Sequence, residues 1–278
     1  MHLNFHFTAV QTLWTLTFAA QLVLLVVLLG RDRIKRFPFF TISIALTALR
    51  LLASRLLFGR MAPVVLSEIF IIAADISAIA GILVVVEMAR RAFVGLGRRG
   101  WILGTLVVLA IGGSVLAAWG PWPPLKSLTT DSSLAVFRLL QLAAQKLDTL
   151  IDLLSIELGL VVLFLGRRFS GGWRTHVQRI VIGLFTASAA QLAIQATWQL
   201  IAKSAVPRSQ AEYDRILGLR DHLFNSNGAI YIAVLVWWIV CLWVEEPPAY
   251  QIEQVAPNSG LAGSTAASPA LIESETAE

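Results

Sequence analysis

The chain has 278 residues, of which 57% are hydrophobic and 14% are charged, and its mean hydropathy is +0.74. Soluble domains have an apolar content nearer ~45–50% and far shorter apolar runs, so this composition excludes an ordinary soluble protein. The formal net charge of +5 could indicate nucleic acid binding. However, the basic residues lie beside the ends of apolar stretches, where membrane topology requires them, and we expect no nucleic acid partner.

Seven long stretches that are almost free of charge follow one another along the chain. Each has about the ~20 residues that a helix needs to cross a hydrocarbon core of ~30 Å, and unpaired backbone amides in lipid require such stretches to be helical. The predicted spans are residues 7–30, 37–58, 64–88, 101–119, 143–165, 178–202 and 226–244. The sequence therefore predicts an all-α integral membrane protein, a seven-transmembrane-helix bundle over residues 1–244.

Basic residues are concentrated in every second loop between these spans. Loops one, three and five carry 12 of the 22 lysines and arginines, namely Arg31, Arg33, Lys35, Arg36, Arg90, Arg91, Arg98, Arg99, Arg167, Arg168, Arg174 and Arg179. Short loops rich in Lys and Arg stay in the cytoplasm. This pattern predicts an N-terminus outside and a C-terminus inside, in a multi-pass protein of a cell membrane, with the bacterial inner membrane as the expected location.

Three segments refine the predicted threading. A helix starting near Ser132 meets no breaker before Gly166, so the fifth helix would be ~50 Å long and must tilt, kink or project on the outer side. In loop six, apolar residues from Tyr213 to Phe224 recur at helical spacing, which predicts a short amphipathic helix on the outer surface; an irregular capping loop is the alternative. The tail, residues 245–278, has six acidic residues and no Lys or Arg, and we expect it to be disordered.

Polar residues within the predicted spans fall on coherent helix faces. At roughly 100° per residue, one polar stripe runs along each of four helices. The stripes are Ser43, Thr47, Arg50 and Ser54 on the second helix, Glu68 and Asp75 on the third, Gln141, Gln145, Asp148, Asp152 and Ser155 on the fifth, and Ser188, Gln191, Gln195 and Gln199 on the sixth. Under the predicted threading, most lie in the outer half of the membrane, which predicts a cleft or polar plug that opens outward.

From these stripes we predict a ligand site formed by Arg50, Glu68, Asp75, Asp148, Asp152, Gln191, Gln195 and Gln199. Aspartates would accept hydrogen bonds from a small polar or cationic ligand, glutamines would donate or accept, and Arg50 would balance the charge. Arg50 is expected to pair with Asp75 or Asp152, because an unpaired guanidinium in a membrane is costly. In the alternative interpretation, these residues form interhelical hydrogen bonds and ion pairs that hold the bundle in register.

Other motifs indicate packing rather than chemistry. The segment 95–100 matches G-x-G-x-x-G but lies between two membrane helices, not between a strand and a helix. Gly100 and Gly104 form a G-x-x-x-G pattern that predicts close helix packing, within the chain or between chains. No histidine lies within a span and Cys241 is the single cysteine, so we expect no haem, no metal site and no other cofactor.

The layout of seven helices, basic inner loops, external N-terminus and internal C-terminus resembles the seven-helix sensor regions of bacterial signalling enzymes. The resemblance is one of topology and carries no residue over, and we expect no enzymatic domain after the last helix. The leading hypothesis is a non-enzymatic sensor or binding protein. The alternatives are a small-solute or proton-coupled transporter, and a structural subunit whose glycine face or tail binds a cytoplasmic partner or a second copy of the chain.

Overall fold

The computed structural model describes residues 8–93, 97–118, 133–165, 175–204 and 209–245. These residues form seven α-helices and no strand. The helices are α1 (Ala9–Gly30), α2 (Pro38–Leu57), α3 (Pro63–Ala92), α4 (Gly97–Ala118), α5 (Ser133–Leu165), α6 (His176–Ser204) and α7 (Gln210–Trp243). The predicted disordered tail beyond Glu245 lies outside the described residues, as do loop four and most of loop five.

Local signals in the sequence start these helices. At α1, the Thr8 hydroxyl accepts from the Gln11 N–H while the Gln11 side chain accepts from the Thr8 N–H, which forms a capping box. Proline occupies the first position of α2 and of α3, where the missing N–H would have no helical partner anyway. Ser209 caps α7 by accepting from the Glu212 N–H.

Five helices, α1, α2, α3, α6 and α7, are long and apolar enough to cross a membrane. The apolar part of α4, Leu106–Ala118, is shorter, and α5 carries several charges along its length. Many large apolar side chains on the outside of the bundle are exposed; Val26, for example, is 65% exposed. An apolar exterior around a partly polar interior is the arrangement expected in a lipid bilayer, and it supports a multi-pass membrane protein.

The helices form a ring of six with the seventh outside it. In the described residues, α1 contacts α2 and α7, α3 contacts α2 and α5, and α6 contacts α5 and α7, which closes the ring. Helix α4 contacts only α3 and α5 within this part of the chain. Consecutive helices alternate in direction, so the C-termini of α1 and α7 meet: Arg31 forms a 3.6 Å ion pair with Glu245 and lies 4.8 Å from the centre of the Trp243 ring.

We use the term basic end for the end of the ring that contains Arg31, Arg36, Arg90, Arg91 and Arg179, and open end for the other. The core of the half next to the basic end is mainly apolar, although Glu87 and His176 are also buried there. The apolar residues that are fully buried there include Leu24, Leu28, Phe37, Phe40, Met88, Leu154, Leu158, Ile180, Leu235 and Leu242. We call this cluster the apolar plug.

Several helix pairs in the bundle approach closely at glycines, and the closest approaches are at Gly183 and Gly159. A Cβ atom on Gly183 of α6 would lie 2.2 Å from Nε1 of Trp238, and one on Gly159 of α5 would lie 2.6 Å from the Phe185 side chain. The Trp238 indole N–H donates to the Ile180 carbonyl at 3.3 Å, and its ring meets that of Phe40 edge-on. Small residues at these positions allow large aromatic side chains to pack against the facing backbone.

The seventh helix differs from its prediction. Residues 213–224 do not form a separate surface helix, because α7 continues without a break from Gln210 to Trp243. Its first part is exposed and charged, and its second part belongs to the ring. The fifth helix has the predicted length, and α5 and α7 are the two longest helices, each ~50 Å at 1.5 Å per residue.

Candidate functional site

A cavity of about 800 Å³ lies in the open half, between α5, α6 and the charged part of α7. We call it the large cavity. Its polar lining consists of Gln145, Lys146, Asp148, Thr149, Gln195, Gln199 and Lys203. Trp198 and Phe224 supply aromatic surface to the same space. A concave, mainly apolar space with a few convergent polar groups is the usual form of a small-molecule site.

Three of the predicted site residues line this cavity. Asp148 lies on α5, and Gln195 and Gln199 lie four residues apart on α6. The polar stripes of the fifth and sixth helices therefore face each other, because α5 and α6 run antiparallel and pack along their length. This face-to-face placement is what the spacing of the stripes predicted. Whether the three residues bind a ligand stays a prediction.

Asp152 and Gln191 lie one turn closer to the basic end and do not line the large cavity. The hydroxyl of buried Ser188 is a hydrogen-bond partner for the Asp152 carboxylate, which ties α5 to α6. The Gln191 side-chain oxygen accepts a hydrogen bond from the Asn227 amide of α7. Each of these two predicted site residues thus makes a contact between helices, and whether they also bind a ligand stays a prediction.

A second cavity, of about 310 Å³, lies between α1, α2, α3 and α7. We call it the small cavity. Arg50 lines it together with Thr47 and Ser54 of the same stripe. Gln21 of α1 and Tyr231 of α7 complete its polar wall, and the Gln21 amide donates to the Tyr231 hydroxyl at 3.4 Å. The predicted single cleft between helices two, three, five and six is thus divided into two cavities, and α1 and α7 contribute to them.

The expected ion pair of Arg50 with Asp75 or Asp152 is wrong. Among the described residues, no carboxylate oxygen lies within 4.0 Å of the Arg50 guanidinium. Asp152 is turned toward Ser188 of α6, on the far side of the ring from α2. Arg50 does interact at longer range with Asp148 and with Tyr231.

The two acids of α3 line neither cavity. Asp75 is half-buried, and its Oδ1 atom is buried without a hydrogen-bond partner among the described residues. Its charge lies close enough to interact with that of Asp148. Glu68 is half-buried near the start of α3 and makes no hydrogen bond or ion pair within the described part of the chain. Asp75 therefore interacts with Asp148, which lines the large cavity, whereas Glu68 makes no such contact among the described residues.

The interior polar groups form one layer. Gln21, Arg50, Asp75, Asp152, Ser188 and Tyr231 each lie about 9 to 17 residues from the basic end of their helix. At 1.5 Å per residue this corresponds to ~14–25 Å, just beyond the apolar plug. Desolvation makes isolated charges expensive at such depth, so this layer combines two acids, one arginine and several neutral partners. Both cavities open above it, toward the open end.

Several lining residues were missed from the sequence. Gln21 and Tyr231 lie on α1 and α7, whereas the prediction relied on polar stripes of the second, third, fifth and sixth helices. One signal was present: Thr17 and Gln21 are four residues apart on α1, and Asn227 and Tyr231 are four apart on α7. Short polar pairs at that spacing share a helix face, and here each pair contributes to the interior.

The remaining predicted positions concern packing and metals. Gly104 packs within the chain, because a Cβ atom there would lie 3.2 Å from the Phe93 ring at the end of α3. Gly100 lies in the first turn of α4 and is half-buried. In the described residues, no group of three or more His, Cys, Asp or Glu side chains is arranged to hold a metal ion.

Comparisons of the chain with protein families, with curated proteins and with solved structures found no match.

Proposed function

We propose that the protein crosses the membrane seven times, with the basic end in the cytoplasm and the open end outside. Five helices are apolar enough to cross by themselves. Helix α5 packs between α3 and α6, so a bilayer that contains those two neighbours also surrounds α5. Helix α4 packs against α3 and α5 and runs opposite to both. The arginines at the basic end support a cytoplasmic location for that end.

On this basis we infer that the protein is a non-enzymatic binding or sensor protein of the cell membrane. It would take a small polar ligand from the outer side. The observation that carries this proposal is the large cavity, which lies in the open half and has the apolar plug beneath it. A deep cavity closed at one end suits capture of a ligand and a conformational response to it.

The lining favours a ligand with groups of both charges. Asp148 offers an acceptor to an ammonium group, and Lys146 and Lys203 lie where an acidic group could bind. Gln145, Gln195 and Gln199 can donate and accept, while Trp198 offers an aromatic face to a cation. We therefore propose a small zwitterion as the ligand, since Lys146 and Lys203 would repel a ligand that carries only positive charge.

Transport is the second candidate and uses the same residues. A transported solute would have to pass the basic half, where the core is filled by Phe40, Trp238 and their neighbours. Neither the large nor the small cavity is lined by residues of that plug, so neither provides a pathway through it. Flux of radiolabelled amino acids across liposomes would decide between binding alone and transport.

Thermal unfolding in nanodiscs tests the proposal directly. A panel of amino acids and other small zwitterions is screened against the wild type and against Asp148→Asn and Gln195→Leu. We expect at least one compound to raise the wild-type midpoint, with a smaller rise in both variants, because binding to the folded state stabilises it. Asp214→Asn, on the exposed part of α7, serves as the control and should respond like the wild type. If no compound shifts the wild type, or if all variants respond equally, the large cavity is not the ligand site.

A further inference from the structure

The small cavity has a chemistry of its own that the proposed function does not use. It is enclosed by four helices other than α5 and α6, and the described residues that line it include no carboxylate. Its charged group is Arg50, which is half-buried and, as described above, has no carboxylate within 4.0 Å. A guanidinium held within a membrane protein without a carboxylate in direct contact is costly, so an anion in this space would stabilise the folded protein.

Gln21 provides the second observation. Its side chain is fully buried and lines the same cavity, yet its Oε1 atom has no hydrogen-bond partner among the described residues. The Nε2 atom of the same amide is engaged by the Tyr231 hydroxyl. A buried acceptor without a donor lowers the stability of the folded protein. Gln21 therefore brings a buried acceptor without a described donor to the wall of this cavity.

The other polar groups that line the small cavity are the hydroxyls of Thr17, Thr47, Ser54 and Tyr231. The hydroxyls of Thr47 and Ser54 donate to backbone carbonyls of their own helix, at 2.8 Å and 2.7 Å. The Tyr231 hydroxyl accepts from Gln21, so its own proton is available to the cavity. Arg50 and Tyr231 thus present donors to one part of an occupant, and Gln21 presents an acceptor to another. Leu51 and Phe70 form an apolar wall.

We propose that the small cavity binds a small carboxylate that carries a hydroxyl or amino group next to its carboxylate. The carboxylate would accept two hydrogen bonds from the planar guanidinium of Arg50 and one from the Tyr231 hydroxyl, an arrangement that suits guanidinium geometry. The neighbouring hydroxyl or amino group would donate to Gln21 Oε1. A volume of about 310 Å³ is at the lower end of the ~300–1,000 Å³ range of ligand pockets and limits the occupant to a short chain.

This site is independent of the large cavity, so the two proposals can fail separately. The test uses the full chain in nanodiscs of phosphatidylcholine, at constant ionic strength, and measures the unfolding midpoint against ligand concentration. The probes are lactate and propionate, which differ only in the hydroxyl that would donate to Gln21. We expect lactate to raise the midpoint in a saturable manner. Propionate should need about a tenfold higher concentration, because Gln21 Oε1 stays without a donor.

Two variants separate the parts of the site. Arg50→Gln should abolish the response to both compounds, and Arg50→Lys should restore it in part, because it keeps the charge but not the paired donors. Gln21→Leu should make lactate no better than propionate while leaving the response to propionate in place. This change in preference can be read even if Arg50→Gln fails to fold. Arg55→Gln, on the exposed side of the same helix, should behave like the wild type.

Four outcomes would overturn the proposal. The first is a wild type that responds to neither carboxylate. The second is an Arg50→Gln or Gln21→Leu variant whose responses match those of the wild type. The third is an equal shift with chloride or inorganic phosphate at the same concentration, which would indicate a general anion site. The fourth is a shift that depends on Arg50 but appears only when phosphatidylglycerol is added to the nanodisc, which would assign the cavity to a lipid headgroup.

Discussion

The carboxylate of Glu87 on α3 accepts a hydrogen bond of 3.1 Å from the backbone N–H of Phe40 on α2. Phe40 is the third residue of α2, and Phe37 at the N-cap has no side chain that can accept from the free N–H groups of the first turn. A residue from the neighbouring helix thus performs the capping. Glu87 also pairs with Arg91 at 3.4 Å, so one buried carboxylate links the two helices at the basic end.

Replacing Glu87 should destabilise the bundle through this contact. Glu87→Ala leaves the Phe40 N–H buried without an acceptor and Arg91 without its partner, and we expect a loss of about 1–3 kcal/mol in the free energy of unfolding. Glu87→Gln keeps an acceptor oxygen but loses the charge, so its effect should be smaller. Reversible unfolding in mixed micelles measures both values.

Glu68→Ala is the matched control for this experiment. Glu68 is a half-buried glutamate on the same helix that makes no hydrogen bond or ion pair within the described residues. We expect its replacement to change stability by less than about 0.5 kcal/mol, as is usual away from specific contacts. Equal losses for Glu68→Ala and Glu87→Ala would show that the capping contact is not what stabilises this region.

Gly183→Ala should be among the most damaging small substitutions in the chain. The added Cβ atom would lie 2.2 Å from Nε1 of Trp238, and both groups are buried in the apolar plug. Relief requires the indole to move, which breaks its hydrogen bond to the Ile180 carbonyl, and overpacking of this kind costs about 1–3 kcal/mol. Gly113→Ala on α4 provides the contrast, because nothing lies within 4 Å of its Cβ position. That substitution should be neutral or stabilise the helix, and both are measured by thermal unfolding in nanodiscs.

The helices could largely be predicted from the sequence because length and apolar content decide where a membrane helix runs. The continuation of the helix across the start of the predicted seventh span could not be predicted. Residues 225–228 read Asn-Ser-Asn-Gly, which are poor helix formers and favoured a break there. In the structure, the Ser226 hydroxyl bonds to the His222 carbonyl and Asn227 bonds to Gln191 of α6. The contact between Asn227 and Gln191 joins two helices and is not visible in the local sequence.

The site was predictable only in part, for a related reason. Helical spacing places Asp148 on one face of its helix and Gln195 on one face of another, but it does not say which helices are neighbours. The order around the ring, in which α7 lies beside both α1 and α6, results from packing that one sequence does not reveal. Gln21 and Tyr231 were therefore missed, and neither of the partners predicted for Arg50, Asp75 and Asp152, forms an ion pair with it.

The orientation of the bundle can be tested with single cysteines. Cys241 is buried and can be replaced by alanine to give a background without thiols. Lys35→Cys then places a thiol at the basic end, and Asp214→Cys places one on the exposed part of α7; both native side chains are exposed. We expect a membrane-impermeant maleimide to label Asp214→Cys in intact cells and Lys35→Cys only after permeabilisation. The reverse pattern would contradict the proposed threading. Labelling of both positions from one side would contradict the five crossings, α2 to α6, that the proposal places between them.

The pair of Gln191 and Asn227 should be structural rather than part of the ligand site. Each single replacement by leucine leaves one amide without its partner inside the bundle, so we expect each to cost about 0.5–1.5 kcal/mol. The double replacement removes both amides and puts apolar side chains in contact, so its cost should be well below the sum of the two, with a coupling of about 0.6–1.7 kcal/mol. If the pair only joins α6 to α7, the double variant should keep the ligand response of the large cavity, because neither residue lines it. A double variant that folds well but has lost that response would return Gln191 to the binding site, and the floor of the cavity would then have to move when a ligand binds.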